Sequence, residues 1–403
     1  MRARSSFPNP PFFHRLLPLV ALFGLVAPLA HAAWLEGNEP AAAERVAQPR
    51  YTPTPWIEDR WVRPTPPPIR YNDDDASARA VRNFLASASL GGAQGWGALT
   101  IYPVTVSSGT PSASMRSLDA SLRSGALRVY EQGSGSVPSV LVENVGSAPV
   151  FLMAGEIVLG GKQDRVIRED MIIPPRSGPM DVPVYCVEQG RWTSGVSFKS
   201  APEAMADGEL RAQASAGAGQ DAIWSHVARK SAAAGVSSST SAYREYEQSP
   251  EVSRRLDEYV SRCPRPSVWR GRVVGAVFVA DGQVLGVDLF SDPALLSALW
   301  PKLVRSYAGQ VYDGRNGYYG SRGGDSAARA ALSALQAAWP QSSGWAGGGV
   351  RLSLNVSGMQ ASAVAVGGAV AHVGALSGYS VQPPPPPPID DPYPRPWYPR
   401  PDE

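Results

Sequence analysis

The sequence of residues 155–192 is GEIVLGGKQDRVIREDMIIPPRSGPMDVPVYCVEQGRW. It holds 11 charged residues in 38, about 29%, whereas the whole chain has 18%. The charges and the Gly and Pro residues interrupt short apolar runs, a pattern that predicts strands joined by tight turns. In VIREDMII, polar and apolar residues alternate as in a half-exposed strand, so Arg168, Glu169 and Asp170 are interpreted as a solvated face.

The rest of the chain extends this pattern and adds helices. A helical middle segment follows the first sheet, and an Asp281-Gly282 pair between apolar runs predicts a hairpin. The predicted fold class is α+β, with mainly antiparallel sheet, that helical middle segment and two further helices in the C-terminal part. The predicted strands are 99–106, 127–131, 139–143, 150–154, 166–173, 182–187, 273–280, 284–290, 350–356, 361–366 and 369–375, and the main helices are 201–213, 220–233, 250–262, 293–310 and 326–339.

The two ends of the chain differ from this core. Residues 16–29 are apolar and precede Ala30-His31-Ala32, which fits a secretory signal peptide over 1–32 and a periplasmic or secreted protein; the alternative is an uncleaved anchor. Prolines are concentrated in 33–72, a predicted linker, and in 381–403, a predicted disordered tail. The α+β domain would span 73–380, as one unit or as two subdomains divided near 200–265. No later apolar run approaches a membrane span.

The charge balance excludes one class of function. The chain has 37 Lys plus Arg against 35 Asp plus Glu, and removal of Arg2, Arg4 and Arg15 with the signal leaves 34 against 35, a net charge of −1. Nucleic-acid binding is not expected without a polybasic surface. The remaining histidines, His226 and His372, cannot form an HExxH site, and two cysteines cannot form a four-Cys site, so no metal and no cofactor is predicted.

Two polar groups in residues 155–192 are candidate site residues. In the first, Glu156 follows an apolar strand, and the Gly160-Gly161 pair precedes Gln163 and Arg165. Paired glycines let a backbone approach a ligand, and Gln and Arg donate directional hydrogen bonds to oxygens. The first group is therefore either a binding site for a polar or anionic ligand or a hairpin turn with an Arg-Glu ion pair.

The second group is Cys186, Glu188, Arg191 and Trp192. On a strand, Cys186 and Glu188 point to the same face, as nucleophile and base or as a buried thiol beside an ion-paired carboxylate. Glu156 and Glu188 could also act as acid and base on a glycosidic bond. Cys186 and Cys263 are either a disulfide or two thiols. His372, between apolar residues in AVAHVGAL, is interpreted as a hydrogen-bonded structural histidine.

Four motifs together resemble a known family. GExxxGGKQDR, CVExGRW, VFVADGQVLGVDLF and LWPKLVRSYA resemble the ADP-ribosylglycohydrolase and rhodanese-phosphatase associated protein domain, over about Gly95 to Gly378. The family is named for the genes it accompanies, so the resemblance implies no established activity, and export weakens any transfer of an ADP-ribose role. The resemblance implies these signature positions: Glu156, Gly160, Gly161, Gln163, Arg165, Cys186, Glu188, Arg191 and Trp192, with Asp288, Ser306 and Tyr307 in the C-terminal part.

The leading functional hypothesis is an exported domain that binds a polar or anionic small molecule, derived from a sugar or a nucleotide. It expects five side chains to converge in one cleft, with Trp192 stacking on a ring: Glu156, Gln163, Arg165, Glu188 and Arg191. The alternatives are a glycoside hydrolase that uses the two glutamates and a scaffolding envelope protein whose Pro-aromatic tail docks on a protein or glycan partner.

Overall fold

The computed structural model describes residues 71–133, 138–312 and 324–378. The predicted signal peptide, the predicted tail and all but the last two residues of the predicted linker lie outside these ranges. Those last two residues, Tyr71 and Asn72, begin the first helix.

The described residues contain eight α-helices and 18 strands, most of them paired antiparallel, which confirms the α+β class. The helices are α1 Tyr71–Ala86, α2 Leu118–Arg123, α3 Gly208–Ser215, α4 Gln220–Ala233, α5 Tyr243–Gln248, α6 Pro250–Arg262, α7 Pro293–Val311 and α8 Asp325–Ala337. The strands are β1 Ser89–Leu90, β2 Gln94–Trp96, β3 Leu99–Val106, β4 Arg116–Ser117, β5 Leu127–Tyr130, β6 Ser139–Asn144, β7 Val150–Leu152, β8 Glu156–Gly160, β9 Arg165–Ile167, β10 Met171–Ile173, β11 Met180–Cys186, β12 Phe198–Met205, β13 Arg272–Ala280, β14 Gln283–Phe290, β15 Gln341–Ala346, β16 Gly349–Val356, β17 Met359–Val366 and β18 Ala369–Ser377.

The largest sheet has nine strands in the order β1-β3-β13-β14-β18-β17-β16-β15, with β2 paired to β3. Its central strands are buried on both faces. One face packs against α1 and α8 through residues such as Phe84 and Leu332, and the other packs against α7 through residues such as Leu303. Because α7 also contacts β12, the C-terminal sheet and the middle of the chain share one hydrophobic core.

A second, six-stranded sheet has the order β12-β8-β9-β11-β6-β5. The two edge strands of this sheet, β5 and β12, also meet. A bridge joins Tyr130 to Ser197, and the backbone N–H of Glu131 donates to the carbonyl of Val196 at 2.8 Å. The sheet surrounds an apolar interior that includes Val142, and a three-stranded sheet, β10-β7-β4, contributes to the same cluster. Most of residues 155–192 lie in this part of the fold.

The structure corrects several local expectations. Residues 201–205 belong to β12, and the helix predicted over 201–213 begins only at Gly208, because Asp207 caps it by accepting from the N–H groups of Glu209 and Leu210. Residues 166–173 form two strands, β9 and β10, on either side of a turn. Helix α5 and strands β1, β2, β4, β8 and β15 were not predicted. Helix α5 is a single short helical segment, β1, β2 and β4 have only two or three residues each, and β15 has few of the apolar residues that mark a buried strand.

Among the described residues, no helix combines the length and the apolar composition that crossing a bilayer requires.

A bulge in β13 fixes the register at the centre of the large sheet. Its pairing with β3 shifts between Val273 and Gly275, where the backbone of Gly275 has φ +153°. A Cβ at Gly275 would lie 1.9 Å from the carbonyl oxygen of Asp288 in the neighbouring β14. Only glycine therefore allows β13 and β14 to approach each other here.

We expect the substitution Gly275→Ala to lower the free energy of unfolding by about 2 to 4 kcal/mol, because it combines backbone strain with a backbone clash. Urea denaturation followed by circular dichroism measures the change. Gly92→Ala is the matched control: a Cβ there has no neighbour within 4 Å, and the expected change is within about 0.5 kcal/mol. Equal stability of the two variants would contradict the role assigned to the bulge.

Candidate functional site

Asp288 is a fully buried carboxylate in the apolar strand β14. It is paired with Arg211 of α3, whose Nη2 donates to Oδ1 at 2.8 Å and whose Nη1 donates to Oδ2 at 3.1 Å. The hydroxyl of Tyr307 in α7 donates to Oδ2 at 2.7 Å, and Nε2 of His372 in β18 lies 3.1 Å from Oδ1. With Asp170, which contacts His372, these side chains form what we term the Asp288 network.

The turn between β7 and β8 joins this network to the second sheet. The backbone N–H of Ala154 donates to Asp170 Oδ1 at 2.8 Å, and its carbonyl accepts from Arg211 Nε at 3.3 Å. Gly155 has φ +95°, and a Cβ there would lie 2.3 Å from Cγ of Arg211. A glycine at this position lets the arginine side chain cross the turn.

The imidazole of His372 lies between two carboxylates. Its Nδ1 is 2.6 Å from Asp170 Oδ2 and its Nε2 faces Asp288, while the ring stacks on Phe290 with centroids 4.3 Å apart. Burial lowers the pKa of His372, but the charge of Asp170 and hydrogen bonds to both carboxylates outweigh burial and raise it to about 9. At neutral pH, therefore, two cations, His372 and Arg211, balance two carboxylates.

The pKa values of Asp170 and Asp288 shift in the opposite direction to that of His372. Burial alone would raise the pKa of Asp170 and of Asp288, but the neighbouring cations hold both pKa values below the usual range. The interpretation of Asp170 as part of a solvated face is thus wrong, since only 7% of the residue is exposed. His372 is a hydrogen-bonded buried histidine, as predicted.

A cavity of about 220 Å³, which we term the His372 pocket, opens beside the network. One wall is a polar face of three adjacent strands, because the register places Arg351 opposite Val364 and Val364 opposite His372. Next to them on the same face, Ser353 of β16 pairs with Ser362 of β17. The lining residues are Ala154, Glu169, Asp170, Arg211, Ser215, Ser343, Arg351, Ser353, Gln360, Ala361, Ser362, Val364, His372, Gly374 and Leu376.

Arg351 is the polar group of this pocket with an unused donor. Its Nη2 lies 2.7 Å from Glu169 Oε1. Its Nε is buried and has no hydrogen-bond partner among the described residues. A buried donor is costly to leave unpaired, and Arg351 is the lining residue that has one.

Most of the site residues predicted from the sequence lie elsewhere, in a group that we term the arginine cluster. Arg165 is fully buried; its Nη2 is 3.3 Å from Glu131 Oε1, its Nη1 donates to Gln163 Oε1 at 3.3 Å, and it contacts the sulfur of Cys186. The cluster comprises Glu131, Gln163, Asp164, Arg165, Cys186, Glu188 and Arg191, around the turn that contains Gly160 and Gly161.

Arg191 uses every nitrogen of its guanidinium within the protein. Nε donates to Glu188 Oε2 at 2.7 Å, Nη1 to the carbonyl of Gly161, and Nη2 to the carbonyl of Gly160 and to Asp164 Oδ1. Burial raises the pKa of Glu188, but the bonds from Arg191 and other donors outweigh burial and lower it. The cluster is therefore an internal ion-pair network around the Gly160-Gly161 turn.

Two predicted site residues are separate from this cluster. Glu156 is fully buried and accepts from Lys302 Nζ at 2.8 Å, and Lys302 also lies 2.6 Å from Asp119. Burial raises the pKa of Glu156. Glu156 and Glu188 share no hydrogen-bond partner among the described residues, and the extended strand β8 places Glu156 about 13 Å from Gly160, at its other end. This geometry gives no support to a paired-carboxylate mechanism.

Trp192 is exposed, at 56%, and the ammonium of Lys162 lies 5.3 Å from its ring centroid. The ring is accessible, but Trp192 is not among the residues that line the His372 pocket.

Both cysteines are free and buried, so the disulfide alternative is not realised. Burial raises the pKa of the Cys186 thiol to about 11, against the opposing charge of Arg165, and that of the Cys263 thiol to about 12. Thiols that are protonated at neutral pH are poor nucleophiles, so Cys186 does not have the properties of a catalytic nucleophile.

Several charged residues that are central to the structure were not predicted as site residues. Arg211 lies in a predicted helix and Arg351 in a predicted strand, without a motif around them, and Lys302 lies in the motif LWPKLVRSYA but was not among the predicted site or signature positions. One sign was available for Lys302 and for Asp288: each is a single charge within an apolar run, and buried charges require partners.

The fold and the site define an α+β domain with a buried, charge-balanced network beside a small polar pocket. A family model, the ARG and Rhodanese-Phosphatase-superfamily-associated Protein domain, ARPP-1, matches residues 87–376. The chain belongs to this family, and the match confirms the resemblance identified from the motifs. Searches of curated proteins and of solved structures found no match for the chain.

The charge state of His372 predicts a pH dependence of stability. Its pKa is raised in the folded protein, so its contribution is fully present below pH 6.5 and is lost as the pH rises through about 9. We expect wild type to lose on the order of 2 kcal/mol more than His372→Gln across this range. Asp170 and Asp288 are the titratable groups in contact with the ring, and Arg211 and Tyr307 bind Asp288.

Urea denaturation at intervals from pH 6 to pH 10 gives the unfolding free energy of both proteins. Subtracting one curve from the other removes contributions from groups that both proteins retain. Parallel curves would show that His372 is not charged in the folded state.

The cysteines give a second prediction at this site. Protein purified without reductant and denatured in the presence of a thiol reagent should show two reactive thiols per chain, and native protein should react slowly because both thiols are buried and protonated. No reactive thiol after denaturation would indicate that the Cys186–Cys263 disulfide forms after all.

Proposed function

We propose that the chain is an exported domain that binds a small polar molecule carrying an anionic group, and that the molecule occupies the His372 pocket. The observation that carries this proposal is the buried Nε of Arg351, a charged donor with no partner among the described residues. A carboxylate or a phosphate is the acceptor that an arginine pairs with best.

The other polar groups of the pocket support a ligand with hydroxyl groups. Ser353, Gln360 and Ser362 lie on the same strands as neighbours of Arg351 and supply both donors and acceptors. Asp170, which also lines the pocket, adds a carboxylate whose position is fixed by Ala154 and His372. A phosphorylated or carboxylated sugar presents this combination of groups.

The volume of the pocket limits the size of that molecule. At about 220 Å³ it is smaller than the roughly 300 to 1,000 Å³ typical of sites for drug-sized ligands. A monosaccharide derivative matches this volume better than a whole nucleotide sugar. Of the sugar and nucleotide classes expected from the sequence, the sugar class is therefore the one proposed.

Titration calorimetry with monosaccharide phosphates, sugar acids and the corresponding neutral sugars tests the proposal. Wild type should bind at least one of the anionic compounds and prefer it to its neutral counterpart. Arg351→Ala should weaken this binding by about 10- to 100-fold, the loss expected for a hydrogen bond to a charged group.

Arg254→Ala is the control, because Arg254 is an ion-paired arginine on the exposed side of α6. It should bind as wild type does. Absence of binding to every anionic compound, or equal affinities of wild type and Arg351→Ala, would reject the pocket as the site.

A further inference from the structure

A second polar cluster lies between α3 and α4, apart from the His372 pocket. Glu209 and Gln213 are four residues apart on α3 and so lie on one side of that helix, facing His226 of α4. One donor atom from each of Asp207, Glu209 and His226 lies within 4.8 Å of the others. Both His226 and Gln213 are buried, with 0% and 4% of the residue exposed.

One nitrogen of the His226 ring is held by a carboxylate. Nε2 lies 2.8 Å from Asp207 Oδ2. Asp207 is itself fixed by the hydroxyl of Tyr243 at 3.2 Å and by the N–H groups of Glu209 and Leu210, both at 3.1 Å. A carboxylate behind one ring nitrogen, which directs the other nitrogen outward, is the arrangement found around metal-bound histidines.

The other ring nitrogen, Nδ1, faces donors and one carboxylate. Arg229 Nη2 lies 2.9 Å from it and Gln213 Nε2 lies 3.5 Å from it. Burial lowers the pKa of His226, but the carboxylates of Asp207 and Glu209 outweigh burial and raise it to about 9, so a metal ion that binds Nδ1 displaces a proton as well as Arg229. The same Arg229 nitrogen contacts Glu209 Oε1. A cationic group thus lies between an imidazole nitrogen and a carboxylate oxygen.

The spacing of these two atoms suits one metal ion. Nδ1 of His226 and Oε1 of Glu209 are 3.7 Å apart. Two zinc bonds of about 2.1 Å, separated by an angle between tetrahedral and 120°, place their ligand atoms about 3.4 to 3.6 Å apart. A shift of a few tenths of an ångström in the partly exposed Glu209 side chain would complete that geometry.

Gln213 supplies an independent observation. Its Oε1 is buried without a hydrogen-bond partner among the described residues, while its Nε2 lies 3.3 Å from Glu209 Oε1 and 3.5 Å from His226 Nδ1. A half-turn of the amide exchanges the two atoms and directs the unpartnered oxygen between Glu209 and His226. Amide oxygen is a metal ligand, and with a bound ion it would gain a partner, while Nε2 gives up its contacts with Glu209 and His226.

We propose that Glu209, Gln213 and His226 bind a divalent zinc ion, with Asp207 orienting the histidine from behind. The Arg229 side chain, which is 54% exposed, moves into solvent when the ion enters. One imidazole and two oxygen ligands leave a position open for water. The metal would link α3 to α4. The sequence could not indicate this site, because its single histidine belongs to no spaced metal motif.

Zinc titration of the EDTA-treated full-length protein, by calorimetry in a non-coordinating buffer, tests the site. Wild type should bind one zinc ion. Glu209→Gln, which removes the anionic ligand, should weaken binding by about tenfold or more, whereas Arg229→Ala should strengthen it by about tenfold, because the competing cation is gone. Arg254→Ala, on exposed α6, should match wild type.

Cobalt provides a spectroscopic check, because a salt bridge without a metal ion produces no visible absorption bands. The Co²⁺-loaded wild type should show the visible absorption bands of a four-coordinate site, and Glu209→Gln should lose them with an unchanged circular dichroism spectrum. Glu209 and Arg229 are both partly exposed, so these variants should fold. Zinc binding by neither wild type nor Arg229→Ala, or affinities that do not respond to either substitution, would overturn the proposal.

Discussion

The carboxylate of Asp288 is the constraint on which the rest of the structure depends. A buried carboxylate is stable only when it is paired and hydrogen-bonded. Removing one member of a buried ion pair leaves the other charge uncompensated and costs about 3 to 5 kcal/mol. Its partners come from α3, α7 and β18, which are 77, 19 and 84 residues away in the chain. These elements must therefore assemble around one carboxylate, and the helical middle segment is fixed against the C-terminal sheet.

The same requirement explains the motif residues of the family. Glu156 pairs with Lys302, and Arg165 pairs with Glu131, in each case between segments that are distant in sequence. Arg191 satisfies the carbonyl groups of the Gly160-Gly161 turn while it pairs with Glu188. In this chain, these motif residues hold strands and turns in place.

The short helix α3 separates two sites of different character. Arg211 extends from it into the Asp288 network beside the His372 pocket, whereas Glu209 and Gln213, two residues before and after, face His226. The 100° rotation per residue of a helix places these side chains on different sides. The position of α3 is set at its start by Asp207, which caps the helix and also contacts His226. The proposed anion-binding pocket and the proposed zinc site thus lie on two sides of one helix.

The sequence by itself determined the local elements: the Asp281-Gly282 hairpin, helix α6 beginning at Pro250, the last three strands and the family motifs. Turn chemistry, capping and apolar periodicity act over a few residues, so a single sequence contains them. Only the tertiary structure decided which charges pair. Asp170 and His372 are 202 residues apart, and Asp170 lies in a segment whose alternation is also typical of an exposed strand. The pairing depends on sheet order and register, which bring distant residues within hydrogen-bond distance, and no local pattern specifies either.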